Sequence, residues 1–267
     1  MSRSHSLMVL ALVALLVACA PRPTIKIALV APFEGRLRRV GYDVFPAFRL
    51  AIREQIRQGG TGRVFVTFIA YDDRGEPEMA ARVARQVVLD PEVVGVIGHF
   101  VLSTTLAALP VYAEAGLPLI APHVPADALP EHPLVFRLGP MSSSPPVHNS
   151  PRACSAVAPA LPLGEPLGRC IGDAPVPEDL PEARAALAAF TELSLGPPPT
   201  PRSVVGYTAA QVLLAAVRAD AERAGVPTRN GVASALRQVR VRSLLGEVSF
   251  DSSGRWTNAP TWAFAQP

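Results

Sequence analysis

The chain has few of the residues that carry metal, redox or nucleophilic chemistry. It holds three cysteines and five histidines among 267 residues, and none of them is spaced as a zinc-binding set. The nucleophile-elbow serine motif, the His-Glu zinc motif, the phosphate-binding loop and the dinucleotide-binding glycine pattern are all missing. We therefore expect no enzymatic activity, no metal and no cofactor.

Lysine is almost absent as well. Lys26 is the only one, so the formal net charge of +3 comes from arginine. Aromatic residues make up 6% of the chain, and no arginine cluster is interleaved with them as on nucleic-acid-binding surfaces. We therefore expect no nucleic-acid partner. The densest basic group, Arg36 with Arg38 and Arg39, is interpreted as part of a solvated loop.

The apolar run near the start of the chain is too short to cross a bilayer. It covers Leu7–Val17, whereas a spanning helix needs about 20 apolar residues. The run follows Arg3 and His5 and has the length of a signal-peptide core. It ends in Leu16-Val17-Ala18-Cys19, a pattern that resembles the lipobox of bacterial lipoproteins.

The lipobox resemblance implies a membrane anchor. Small residues let the peptidase reach the scissile bond, and the cysteine thiol carries the lipid. We predict a signal peptide over residues 1–18, a lipid on Cys19, and a proline-stiffened linker over 19–24. The competing interpretation is an ordinary signal peptide with a chance cysteine, which we do not favour. The mature chain is then exported and lipid-anchored to the cell membrane, facing the periplasm or the cell exterior.

Two further cysteines, Cys154 and Cys170, form an even pair in an oxidising compartment. They lie in a proline-rich stretch, where a cross-link would add most to the stability of the fold. A disulfide between them and a pair of free thiols both remain open interpretations.

Short apolar segments alternate with amphipathic ones through the first half of the chain. This alternation predicts an α/β fold with a parallel sheet and crossover helices. Such sheets bind ligands at the carboxyl ends of their strands. The predicted strands are 25–31, 64–70, 93–97, 118–121 and 135–138, and the predicted helices are 42–58, with Pro46 in the first turn, 76–89 and 103–115.

The pattern changes after Gly139. Residues 140–180 are rich in proline, serine and glycine and show no sustained period. Beyond them, the sequence predicts helices over 181–193, 204–224 and 230–239, and two late strands over 247–250 and 261–264.

A set of small and aromatic landmarks repeats the order seen in one known family. Residues 25–140 resemble the first lobe of type I periplasmic solute-binding proteins, especially the leucine/isoleucine/valine-binding proteins of ABC transporters and their amide- and urea-binding relatives. The matching residues are Pro32, Gly35, Gly41, Ala47, Ala51, Gly59-Gly60, Tyr71-Asp72-Asp73, Glu76-Pro77, Val96–Phe100, Ala107-Ala108, Tyr112, Glu114–Gly116, Pro118–Pro122, Val135–Arg137, Gly206-Tyr207, Ala209-Ala210, Gly246–Asp251 and Gly254.

The resemblance implies a two-lobed fold of which this chain keeps mainly one lobe. It implies a type I periplasmic-binding-protein-like parallel sheet with helices on both faces. We assign residues 25–139 plus 200–250 to the first solute-binding lobe. Residues 140–199 plus 251–267 are interpreted as a proline-rich remnant of a second lobe that is largely missing.

The resemblance also implies a ligand site at the start of the third helix. Ser103, Thr104 and Thr105 stand at a predicted helix N-terminus, where free amides and the helix dipole can hold a carboxylate. A plain helix cap explains the same residues equally well. Leu102 stands where the family usually has a serine or another small polar residue.

Two further residues are candidates for ligand contact. His123 follows a strand end that faces the expected cleft, although we favour a histidine in a surface loop. Tyr207 matches a family tyrosine on a crossover helix, and we expect it to serve packing first and ligand contact second.

Three other polar residues are assigned structural roles. Asp72 and Asp73 are adjacent carboxylates, as in some centres for acid/base catalysis. The family uses them as a strand-end turn and helix cap, and we favour that interpretation. His99 also matches the family and is expected to be structural.

Together these features predict a solute-binding lipoprotein of an ABC importer. It binds a small amino acid of the branched-chain type, or an amide, and delivers it to a permease. The alternative is a degenerate surface or sensory lipoprotein that has lost solute transport, which the reduced second lobe and Leu102 would favour.

Overall fold

A computed structural model describes residues 22–62, 64–124, 126–139, 199–257 and 259, together with the backbone of short strands at 147–148, 169–172 and 262–265. The predicted signal peptide, lipidated Cys19 and the Cys154 end of the predicted disulfide lie outside these residues, as does the predicted helix over 181–193.

Five parallel strands form the central sheet. They are β1 (Thr24–Ala31), β2 (Phe65–Asp72), β3 (Val93–Ile97), β4 (Leu119–Pro122) and β5 (Val135–Leu138), in the order β2-β1-β3-β4-β5. The predicted α/β class and parallel sheet are confirmed, and β3 and β5 have the predicted bounds. Because all five strands run the same way, their carboxyl ends share one edge of the sheet.

Helices cover both faces of this sheet. They are α1 (Arg38–Arg57), α2 (Pro77–Leu89), α3 (Leu102–Glu114), α4 (Pro201–Ala224) and α5 (Arg229–Leu236). Side chains alternate along β1, as a strand requires. Ile27 and Leu29 pack with α1, α4 and α5, whereas Ala28 and Val30 pack with α2 and α3.

The start of α1 differs from the prediction. The helix begins at Arg38, so Pro46 lies in its interior and not in the first turn. A proline there removes the bond to the carbonyl group four residues earlier, which belongs to Tyr42. That residue is 60% exposed, so water can reach this side of the helix. Arg38 and Arg39 are therefore helical, which corrects their assignment to a loop.

α1 and α4 are joined by buried polar groups. Arg202 Nη1 lies 2.8 Å from Asp43 Oδ2, and both side chains are almost fully buried. Ser203 Oγ donates to the Asp43 carbonyl oxygen at 2.7 Å. A capping box between Thr200 and Ser203 begins α4 next to this contact.

The remaining strands are short and pair over long distances in sequence. β6 (Val147–His148) and β7 (Arg169–Gly172) flank β10 (Trp262–Ala265), which is parallel to β6 and antiparallel to β7. β8 (Val241–Ser243) and β9 (Gly246–Val248) form a hairpin. Of these, the sequence predicts only β9 and β10, because strands of two to four residues carry too little periodicity.

In the described part of the chain, no helix combines the length and apolar character needed to span a bilayer.

Candidate functional site

The loops that follow the five parallel strands meet at the carboxyl edge of the sheet. The loop after β3 approaches β1 most closely at Gly98. A Cβ atom at this position would lie 2.2 Å from the Val30 carbonyl oxygen, and the φ angle is +145°. Both constraints require glycine, so Gly98 sets the path by which the chain leaves the sheet and enters α3.

Asp72 and Asp73 organise turns at this edge. Asp72 Oδ1 accepts hydrogen bonds from the backbone amides of Phe33, Glu34 and Arg74. Asp73 Oδ1 accepts from the Gly75 amide at 2.9 Å. The N-cap of α2 is Glu76, and no side chain caps this helix. The aspartates thus form the predicted strand-end turn. The expectation that they cap α2 is wrong, because their carboxylates bind the amides of Arg74 and Gly75, which precede the first helical residue, Pro77.

His99 lies beneath the loop after β3 in a fully buried polar network. Its Nδ1 is 2.7 Å from Asp73 Oδ2, and its Nε2 is 3.1 Å from the Tyr112 hydroxyl. Burial and the nearby Asp73 charge raise the pKa of Tyr112. All three side chains are enclosed, so this network supports the loop and is closed to a ligand in this structure.

The N-terminus of α3 lies at this edge and carries an exposed hydroxyl, that of Ser103. Its N-cap, Val101, offers no side-chain hydrogen bond, so the first-turn amides at the positive end of the helix dipole are not satisfied by an N-cap side chain. Thr104 and Thr105 are buried, and their hydroxyls donate to the Val101 carbonyl oxygen at 2.9 and 2.8 Å.

Leu102 and His123 bring the loops after β3 and β4 together. Leu102 is half-buried and packs with the apolar cluster that contains Val124 and Leu129. His123 is 4% exposed, and its ring centroid is 6.2 Å from that of Phe100. The interpretation of His123 as a surface-loop residue is wrong, because this aromatic contact and a φ of +59° turn its side chain inward.

Arg137 joins several segments at this edge, although the sequence indicates it only as a family landmark. Its guanidinium is fully buried and donates to the carbonyl oxygens of Ala126 (3.2 Å), Leu129 (3.4 Å) and Ser253. Burial and the nearby Arg255 charge lower its pKa. The sequence feature that could have indicated this role is a charged residue within an otherwise apolar four-residue strand.

Tyr207 lies between α1 and α4. It is 5% exposed, donates to Glu54, and accepts from Gln211 Nε2 at 3.0 Å. Burial and the hydrogen bond to Glu54 raise its pKa. These contacts agree with the expected packing role, while its contact with a ligand stays a prediction.

The predicted site residues therefore divide into three groups. Leu102, Ser103 and His123 lie at or beside the start of α3. Thr104 and Thr105 are buried in the first turn of α3, and their hydroxyls already donate to the Val101 carbonyl oxygen. Tyr207 lies in a helix interface. The start of α3 therefore presents backbone amides and the exposed Ser103 hydroxyl beside the apolar side chain of Leu102. Such a set of groups suits a small anionic or zwitterionic molecule.

Part of the chain is similar in sequence to proteins that are named for the amino acids they bind. It is 36% identical over 117 residues to the leucine-, isoleucine-, valine-, threonine- and alanine-binding protein of Pseudomonas aeruginosa, covering 43% of this chain and 31% of that protein. It is 31% identical over 105 residues to the Leu/Ile/Val-binding protein of Escherichia coli K12, covering 39% and 28%. The aligned part thus spans about a third of the length of the curated relatives.

Solved structures share the fold over most of the chain. The ABC transporter substrate-binding protein of Desulfitobacterium hafniense in complex with Leu has a TM-score of 0.67 at 16% identity, covering 90% of this chain and 96% of that one. A leucine-binding protein from Thermotoga maritima has a TM-score of 0.63 at 16% identity, covering 86% and 92%.

The sequence pattern of one family extends through both parts of the chain. The pattern described as periplasmic binding protein matches residues 24–148 and 155–266, which include every strand of the central sheet and all five helices. With this match and the parallel sheet already described, the chain belongs to the periplasmic binding protein family.

Proposed function

We propose that this protein is the solute-binding lipoprotein of an ABC importer of the branched-chain amino acid type. It captures a small amino acid or amide outside the membrane and delivers it to a permease. The mechanism is binding and closure, without covalent chemistry. The family membership and the names of the sequence relatives support this class of ligand.

The observation that carries the proposal is the uncapped start of α3 at the carboxyl edge of the sheet. A ligand carboxylate accepts hydrogen bonds from its first-turn amides, and the exposed Ser103 hydroxyl adds another donor. Leu102 and His123 line the same region, and Leu102 offers apolar contact to an aliphatic side chain. In this assignment, Thr104 and Thr105 hold the turn and Tyr207 holds α4 against α1.

The lobe division follows from the same proposal. In this proposal, residues 25–139 plus 200–250 form the first lobe, and residues 140–199 plus 251–267 form a reduced second lobe. The backbone amide of Arg137 donates to the Gly254 carbonyl oxygen at 2.7 Å, and Trp256 packs in the main core. These contacts favour moving the boundary from residue 250 to about Thr257.

The anchor belongs to the proposal as well. Cys19 carries the lipid after removal of residues 1–18, and the permease is the partner at the membrane. The alternative function, a surface or sensory lipoprotein without transport, is not favoured by the comparisons, since the relatives found are solute-binding proteins.

Calorimetric titration of the mature protein tests the proposal. Leucine, isoleucine, valine, alanine, urea and acetamide are titrated separately into a sample whose fold is checked by circular dichroism. We expect saturable heat from at least one amino acid or amide. A folded sample that gives no heat with any of them contradicts the proposal.

Ser103→Ala tests the placement of the site. Loss of one hydrogen bond costs about 0.5–1.5 kcal/mol, so we expect the Kd for the preferred solute to rise about twofold to tenfold. Ser234→Ala is the matched control, because Ser234 is an exposed serine on α5. An unchanged Kd in the Ser103 variant, or an equal change in both variants, removes Ser103 from the site.

A further inference from the structure

A basic and apolar surface lies at the end of the molecule opposite the candidate site. We call it the basal patch, and it joins the last three turns of α1 to the start of β2. Ile56 is 58% exposed and Phe65 is 53% exposed, which is unusual for large apolar side chains on two neighbouring elements. The patch consists of Arg49, Ile52, Arg53, Ile56, Arg57, Phe65 and Phe68.

The charge of the basal patch has one sign. Arg49, Arg53 and Arg57 are exposed and follow each other at four-residue spacing, so they form one line along α1. No carboxylate of the described residues lies within ion-pair distance of these three guanidinium groups. Three arginines that lack a carboxylate partner among the described residues, together with the apolar side chains beside them, are complementary to an apolar surface that carries negative charge.

The same patch lies where the chain enters the fold. Arg22 lines a groove together with Ile56 and Phe65, and the Phe65 amide donates to the Pro23 carbonyl oxygen at 2.9 Å. Cys19 is three residues before Arg22, so the connecting chain spans at most about 11 Å. This length is close to the Debye length of about 8–10 Å at physiological salt, so a lipid on Cys19 holds Arg22 and the adjoining groove about one Debye length from the headgroups.

We infer that the basal patch docks on the anionic surface of the membrane that holds the anchor. This inference rests on the proposed lipidation of Cys19. The arginines contact lipid phosphates, while Ile56 and Phe65 enter the boundary between headgroups and acyl chains. β1 and β2 begin at the patch and end at the candidate site, so docking holds the solute site away from the bilayer and fixes the orientation of the domain.

Fluorescence quenching in vesicles tests the inference on the mature lipidated protein. Phe65→Trp adds a reporter to the two native tryptophans, Trp256 and Trp262, and the protein without this change gives the background. The vesicles contain brominated phosphatidylcholine, either alone or mixed with phosphatidylglycerol. We expect quenching of the added fluorescence in the anionic vesicles, weaker quenching in the neutral ones, and loss of quenching at high salt.

Removal of two arginines sharpens the test. An arginine near an anionic surface contributes about fivefold to the docking equilibrium, so Arg53→Gln with Arg57→Gln lowers the ratio of docked to undocked protein by about 25-fold. Arg82→Gln with Arg85→Gln is the control of equal charge, since both residues are exposed on α2. Docking in the control is expected to match that of the unsubstituted reporter protein.

Three results overturn the inference. The first is no quenching in anionic vesicles, and the second is an equal loss in both double variants. The third is a loss of solute uptake in cells expressing the Arg53/Arg57 variant while that variant is quenched in anionic vesicles as strongly as the unsubstituted reporter protein, which assigns the patch to a protein partner. Mass spectrometry of the N-terminal peptide measures lipidation, and calorimetry measures solute binding, each independently of docking. Failure of the proposed function is thereby distinguished from failure of docking.

Discussion

Single residues set the geometry at both edges of the sheet, and Lys26 shows this at the edge where the strands begin. The only lysine of the chain lies near the start of β1 and binds Asp90 at 2.8 Å and Glu92 at 2.6 Å. These carboxylates precede β3, so the contacts join the entry points of two neighbouring strands. The hydrogen bond from Lys26 is the main reason that the pKa of Asp90 is lowered.

Asp90→Asn is expected to change the response of stability to acid. A carboxyl group with a lowered pKa in the folded state stabilises the fold above its ordinary pKa of 3.8, and this contribution disappears as the pH falls through the folded value. The difference in unfolding free energy between the unsubstituted protein and the variant is therefore constant from neutral pH to about pH 5 and shrinks below about pH 4. Urea denaturation at a series of pH values measures it.

Asp127→Asn is the control for this series, because Asp127 is exposed in the turn after β4. The control curve is expected to run parallel to that of the unsubstituted protein. A pH-independent difference for Asp90→Asn would show that its charge plays no part in the contact.

At the scale of elements, the contact between α1 and α4 decides how the late part of the chain returns to the first lobe. Between the polar contacts, α4 approaches α1 closely at Gly206, where a Cβ atom would meet Val44 and Phe48. Apolar packing of this kind stabilises the contact but would permit α4 to slide along α1. The Asp43–Arg202 pair, in contrast, is formed in only one register of the two helices. Its two partners are 159 residues apart in sequence.

Asp43→Asn is expected to destabilise the protein by about 3 kcal/mol, because it removes the carboxylate charge that lies 2.8 Å from the buried Arg202 guanidinium. Chemical denaturation measures the loss. Glu222→Gln removes a partner of Arg218 from an exposed pair on the same α4 helix, and we expect it to cost at most about 0.5 kcal/mol. Equal losses in the two variants would contradict the assigned role of burial.

At the scale of the whole molecule, Arg137 connects parts of the chain that are distant in sequence. Its side chain binds the loop after β4 and the turn that contains Ser253. Its backbone amide donates to Gly254, and its carbonyl oxygen accepts from the Trp256 amide at 3.3 Å. The final part of the described chain is thereby attached to β5 and to the edge that carries the candidate site.

Arg137→Lys is expected to cost about 3 kcal/mol of unfolding free energy, because one ammonium group cannot reach all three carbonyl oxygens that the guanidinium binds. Thermal and urea denaturation measure the loss. Arg237→Lys is the control, since Arg237 is exposed and, among the described residues, binds a single carbonyl oxygen, that of Pro133. Its effect is expected to stay within about 0.5 kcal/mol. A loss below about 1 kcal/mol for Arg137→Lys would show that the buried guanidinium is replaceable.

The candidate site was predictable in part. The start of α3 follows from the small residues around Gly98 and the hydroxyl run at Ser103, because both are local signals. The inward turn of His123 was not predictable, since it depends on the Phe100 ring, which lies on a different loop. The hydrogen bond from Tyr207 to Glu54 likewise joins residues 153 positions apart.

By itself, the sequence determined the α/β class, the five parallel strands and the helices that cover them, because strand and helix periodicity act over a few residues. The apolar and small residues of 93–97 and 135–138 specify β3 and β5 in this way. Only the tertiary structure decided the buried partners of Arg137 and Arg202, the pairing of β10 with β6 and β7, and the exposure of Ile56 beside Phe65. Each of these depends on which distant residues meet, and the free energy of such contacts appears only when the whole chain has packed.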